Sequence, residues 1–292
     1  MAAPSPALAA LLATFLPGGG QIYLDDMDAA LWVASSELAL VGGALAIEPE
    51  PSAPGEFKLT PRLLGLQLAS QVHVYSIYAA WRDARRLRRP ETERSETNGF
   101  SDLAMAPFQS HALSPMVALP VASLAAVIVG SSLLSANNSV FDVDDVTILG
   151  TALSPGVAFA AQVPVHGTLA MGAAVSEEAL FRGMVQTGMR QWWGPSGAVA
   201  AQAVLFGLAH LPNAFIIDQG RSPLRETVAR ATLQVALTGF LGGWMGHLVE
   251  QDAGDLRRAV AFHFWYNFAV MSAGFAAAPQ STPLRFSLSL PF

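Results

Sequence analysis

Residues Gly167–Met189 read GTLAMGAAVSEEALFRGMVQTGM. The stretch is long enough to cross the roughly 30 Å hydrocarbon core of a bilayer as an α-helix, yet Glu177, Glu178 and Arg182 sit near its middle. An ionisable side chain at the centre of a membrane helix costs about 2.5–3.5 kcal/mol on insertion scales, so three together demand an explanation. On a helix, Glu178 and Arg182 are four apart and share a face, where an ion pair closes within one turn. Glu177 points about 100° away from Glu178, has no local partner, and is suited to accept and return a proton. The plainer explanation is an ion pair plus a spare acid facing a polar cavity or lipid headgroups.

The rest of the chain shares this apolar character. Of 292 residues, 52% are hydrophobic and 13% charged, about half of the roughly 25% charged content of a soluble domain. Mean hydropathy is +0.40. Apolar runs at Met27–Ile47, Arg62–Trp81, Pro115–Ser135, Val146–Val165, Gly167–Met189, Ser196–Leu211, Thr227–Val249 and Ala259–Ala277 follow one another, with a shorter one at Ala7–Leu16. None alternates like a barrel strand, so the expected fold class is all-α, a polytopic transmembrane bundle of about eight helices.

Arg82, Arg85, Arg86, Arg88 and Arg89 directly follow the run that ends at Trp81, and the positive-inside rule places that loop in the cytoplasm. Asp142, Asp144 and Asp145 fit the opposite side. The expected organisation is an N-terminal membrane hairpin region over 1–81, read as a simple appendage, then a flexible polar cytoplasmic linker over 82–113. A C-terminal bundle over 114–278 and a tail over 279–292 follow.

Two further segments place polar groups in apolar runs: Phe206–His210 (FGLAH) and His263–Asn267 (HFWYN). In each, two functional residues are four apart and share a helix face. Taken singly, His210 reads as an interfacial histidine and His263 with Asn267 as an interhelical clamp. Glu37, His73 and His247 each stand alone. A carboxylate, two imidazoles and an amide on three buried helices would be costly decoration. Cysteine is absent, which excludes a thiol nucleophile, a disulfide framework and a thiolate metal site. G-x-S-x-G, H-E-x-x-H and a phosphate-binding glycine loop are also missing. A net charge of −6 gives no basic footprint for nucleic acid. What this set can do is let a glutamate and a histidine activate water while the second histidine and the asparagine donate to an oxyanion. That amounts to amide hydrolysis in a membrane cavity.

EEALFR (Glu177–Arg182), FGLAH and HFWYN resemble, in order and internal spacing, the EExxxR, FxxxH and HxxxN motifs of the CPBP family. These are the type II CAAX-prenyl-endopeptidase-like intramembrane proteases, also called ABI-domain proteins. The resemblance spans roughly residues 114–278. It implies that Glu177 and His210 activate the attacking water, that His263 and Asn267 form the oxyanion site, and that Glu178, Arg182 and Phe206 support them. No cofactor is favoured. The alternative is a zinc-dependent version with Glu177, His210 and His263 as ligands. The implied partners are membrane lipid and a membrane-associated protein or C-terminal tail as substrate. Abundant Ala, Leu, Arg and Gly hint at a GC-rich bacterial genome, hence the inner membrane and a substrate other than a prenylated tail. Competing readings are a non-catalytic immunity or scaffold protein and a proton-relay transporter. No inverted repeat supports the latter.

Overall fold

The computed structural model describes residues 3–47, 60–88, 99–135, 144–148, 151–213 and 223–277. The described residues are almost wholly helical. Helix α1 (Pro6–Phe15) starts at Ser5, whose hydroxyl accepts from the Leu8 amide, with Pro6 in the first turn. This is where proline's missing N–H is harmless. A turn with Gly18 at φ 75° leads into the single-turn helix α2 (Gly19–Tyr23). A Cβ on Gly20 would lie 2.4 Å from the Ala9 carbonyl and 2.5 Å from the Ala80 Cβ. Only glycine permits that close approach.

Helix α3 (Met27–Ala46) is capped by Asp26, which accepts from the Ala29 amide. Helix α4 (Pro61–Arg88) ends on Arg85, Arg86 and Arg88, cations that suit the negative end of a helix dipole. After α5 (Phe100–Met105) and two 3₁₀ turns come α6 (Pro115–Ser135) and a small antiparallel hairpin, β1 (Val146–Ile148) with β2 (Thr151–Leu153). One continuous helical path then runs through α7 (Pro155–Glu178), a π-helical stretch (Ala179–Gln186) and α8 (Thr187–Ala209). It breaks at Gly194, where φ is 66°. Helices α9 (Leu224–Gln251) and α10 (Arg257–Ala277) complete the described order. Helix α9 packs along α8, α10 along α6 and α7, and α4 against α1, α3, α7 and the π stretch.

Several expectations need correction. Among the described residues only two helical stretches, Met27–Ala46 and 155–213, are long and apolar enough to span a bilayer; Pro6–Phe15 and Pro115–Val127 are apolar but shorter. The eight-span bundle is therefore not confirmed. Charge explains part of this, since α4 carries Arg82, Asp83 and its terminal arginines, and α9 carries Arg225, Glu226, Arg230 and Glu250. Residues Val146–Val165 are not one span. Their first half is the hairpin, and Pro155, which starts a helix readily but cannot continue one, opens α7.

Within the expected 82–113 linker, the described residues 82–88 and 99–113 are largely helical. Arg82–Arg88 belongs to α4, and Leu103 and Ala106 are buried in the main core. Nor are residues 1–81 an appendage. Tyr75, Tyr78 and Trp81 share one hydrophobic cluster with Leu169, Phe206, Met245 and Phe262. The C-terminal tail (279–292) and Asp142 lie outside the described residues.

Candidate active site

Glu177 and Glu178 close α7, immediately before the helix widens into its π stretch. Such widened turns recur at functional sites. Arg182, one turn on, is fully buried, as is Glu178, and its Nη1 donates to Glu178 Oε1 at 3.0 Å. The spacing predicts this bond. Two further contacts hold the guanidinium. Its Nη2 donates to the Gly242 carbonyl at 3.0 Å, and its Cζ lies 4.2 Å from the centroid of the Phe206 ring. Gly242 makes this possible, because a Cβ there would meet Phe206 Cδ1 at 3.0 Å and Arg182 Nη2 at 3.2 Å. The same carbonyl accepts from Gln202 Nε2 at 2.8 Å.

Sequence reading misses the role of Glu178 in a second element. His263, in the second turn of α10, lies with its Nδ1 2.7 Å from Glu178 Oε1. One carboxylate oxygen thus serves both the arginine and a histidine, and it fixes that imidazole so that Nε2 faces Glu177. No spacing rule links residues 85 apart. The available signal is only that a second acid and a second imidazole both occur in apolar helices.

His210 stands at the C-terminal end of α8, where helix carbonyls lose their intrahelical partners. Its Nδ1 lies 2.8 Å from the Phe206 carbonyl. A carbonyl can only accept, so Nδ1 carries the hydrogen and Nε2 keeps its lone pair in the neutral ring. That Nε2 is 3.8 Å from Glu177 Oε2, and His263 Nε2 is 3.9 Å from the same oxygen. Both separations are too long for direct hydrogen bonds and suit a bridging water. Glu177 Oε2 is shielded from solvent and has no hydrogen-bond partner. Phe206 packs edge-to-face with Phe181 and His263 and at a tilt against His210, so one ring touches both imidazoles.

Helix ends and breaks solve a problem of reach. His210 comes late in its run and His263 early in its own, so straight parallel helices would separate them. The break at Gly194 and the end of α8 at His210 let the two rings meet one carboxylate. Asn267 is buried one turn beyond His263 on the same face and makes no hydrogen bond to Glu177, His210 or His263. Glu37 and His73, expected as isolated groups, pair with each other at 3.1 Å. His247 contacts Gln251 at the surface instead.

As a metal site the arrangement fits poorly. Two ligands of a tetrahedral zinc at about 2.0–2.1 Å lie roughly 3.3 Å apart, closer than Glu177 Oε2 stands to either ring. No group of three or more such side chains among the described residues has a metal-holding arrangement.

A half-buried acid, its Oε2 shielded from solvent, thus faces two imidazoles among packed helices. Residues 159–269 match the family described as type II CAAX prenyl endopeptidase Rce1-like. That stretch runs from α7 into α10 and contains every site residue named above. No curated protein and no solved structure matches the chain. The family match supports an intramembrane endopeptidase generally, and the two long apolar helical stretches suit an integral membrane protein.

Proposed function

We propose that the chain hydrolyses a peptide bond of a membrane-associated protein or C-terminal tail by a metal-free, glutamate-based mechanism. The carrying observation is the unpaired, shielded Glu177 Oε2, set 3.8 and 3.9 Å from two ring nitrogens. Water held between Glu177 and His210 Nε2 loses a proton to the Glu177 carboxylate as its oxygen attacks the scissile carbonyl carbon. The Asn267 amide donates to the developing oxyanion, and His263, held at Nδ1 by Glu178 Oε1, turns Nε2 toward the same site. Glu177 then returns the proton to the leaving nitrogen, the C–N bond breaks, and a carboxylic acid and an amine result. Arg182 and Phe206 hold this frame without touching the reacting atoms.

The membrane is the bacterial inner membrane, with the arginine-rich end of α4 on the cytoplasmic side by the positive-inside rule.

The test is reconstitution in liposomes with a bacterial membrane-protein fraction, reading new protein termini by mass spectrometry. Wild type generates them with or without a chelator, whereas Glu177→Gln and His210→Ala do not. Termini made by both variants would overturn the mechanism and favour a non-catalytic scaffold role, and loss in chelator restored by zinc would favour the metal-dependent form.

A further inference from the structure

Beside the site lies a cavity of about 580 Å³, a size typical of ligand pockets. Ser176 and Phe264, next in sequence to Glu177 and His263, form part of its wall, so it is bounded by the two helices that carry those groups. Leu40, Leu68, Gln71 and Tyr75 form much of the rest. These residues belong to α3 and α4, outside the matched 159–269 stretch.

The lining is overwhelmingly apolar, with one polar group out of place. Gln71 is only 7% exposed. Its Nε2 lies 3.4 Å from the Leu169 carbonyl. Because that carbonyl can only accept, Oε1 is the amide's remaining acceptor, and among the described residues it has no partner. Gly172, also in the wall, gives the amide room: a Cβ there would lie 1.7 Å from Gln71 Oε1. A buried acceptor without a donor destabilises a fold; the Oε1 atoms of Gln21, Gln162, Gln186 and Gln202 share this state, but of these glutamines Gln71 alone lines the cavity, where a ligand can supply the donor.

We infer that the cavity receives an apolar stretch of the substrate polypeptide next to the scissile bond, and that Gln71 Oε1 accepts a backbone N–H from it. Acyl and isoprenoid chains have no donor to offer this oxygen. A peptide entering an apolar membrane cavity brings N–H groups that must find acceptors. The inference rests on the protease reading for its orientation and names the substrate feature that α3 and α4 select.

The test uses the full chain in lipid nanodiscs, on the Glu177→Gln background so that binding is read apart from cleavage. The probes are a fluorescent ten-residue peptide of alternating leucine and alanine, its backbone N-methylated counterpart, and a fluorescent farnesyl-cysteine. Binding is followed by anisotropy. The unmodified peptide binds; N-methylation weakens it about tenfold, and so does Gln71→Leu, after which the two peptides bind alike. Leu68→Trp narrows the cavity and weakens both peptides, an arm that keeps the test alive if Gln71→Leu misfolds. Equal binding of the two peptides to the parent protein, or displacement of peptide by farnesyl-cysteine with no effect of Gln71→Leu, overturns the inference and makes the cavity a lipid pocket. Glu177-dependent new termini without Gln71-dependent binding would sink this subsite alone. The converse result would sink proteolysis and spare the subsite.

Discussion

Replacing Arg182 with methionine keeps much of its volume and removes its charge. Arg182 and Glu178 are both fully buried, so the variant strands a carboxylate that retains only His263 as donor. The Gly242 carbonyl is spared the same fate because Gln202 still donates to it at 2.8 Å. The cost is therefore that of one uncompensated buried charge, about 3–5 kcal/mol, rather than the sum of every lost contact. At about 2–4 °C per kcal/mol, thermal unfolding in detergent micelles falls by roughly 6–20 °C. Glu178→Gln in the same background removes the stranded charge, so the double variant melts above Arg182→Met, a coupling the two singles alone cannot produce. The reasoning is refuted if Arg182→Met melts within about 2 °C of wild type, or if the two substitutions simply add.

Two other outcomes follow from the geometry. Asn267 is buried but makes no hydrogen bond to the rest of the site, so Asn267→Ala leaves the melting temperature nearly unchanged. Acting as an oxyanion donor, it lowers kcat by about 10²–10³ with KM little altered; an unchanged kcat on a substrate found by the termini screen would remove it from the oxyanion site. Asp255, in the turn before α10, is penalised by burial, but its bonds to the Arg257 guanidinium and amide outweigh this and hold the carboxyl below its ordinary value. A depressed acid stabilises the fold above its unfolded value, about pH 3.9, and that contribution is lost as pH falls through the folded value. Asp255→Asn thus melts lower than wild type at pH 6 and converges with it under strong acid. A constant gap down to pH 2 would contradict the assignment.

What the sequence made legible depended on whether the cause was local. The start of α3 at Met27 is announced by Asp26, and the pairing of Glu178 with Arg182 follows from a four-residue spacing. Val146–Val165 misled because a short apolar run has no periodicity that separates strand from helix. Counting apolar runs overstated the spans for a related reason. Hydropathy sums a segment, whereas α9 mixes apolar faces with arginines and acids and α10 opens on two arginines. The residue types of the candidate site were visible in order, but the bond from Glu178 to His263 was not, since it depends on how α7 and α10 cross. The pairing of Glu37 with His73, across α3 and α4, was hidden in the same way.

The seat of Tyr78 on Gly183 has a consequence for how this protein can be rebuilt. A Cβ at Gly183 would come within 2.4 Å of that ring, so α4 rests directly on the widened turn that carries Arg182. A chimera grafting the 159–269 segment onto a foreign N-terminal half would need an aromatic of matching reach at that spot, or the transplanted segment would inherit a hole beside its own arginine. The N-terminal helices and the matched segment therefore have to be exchanged as one packed unit.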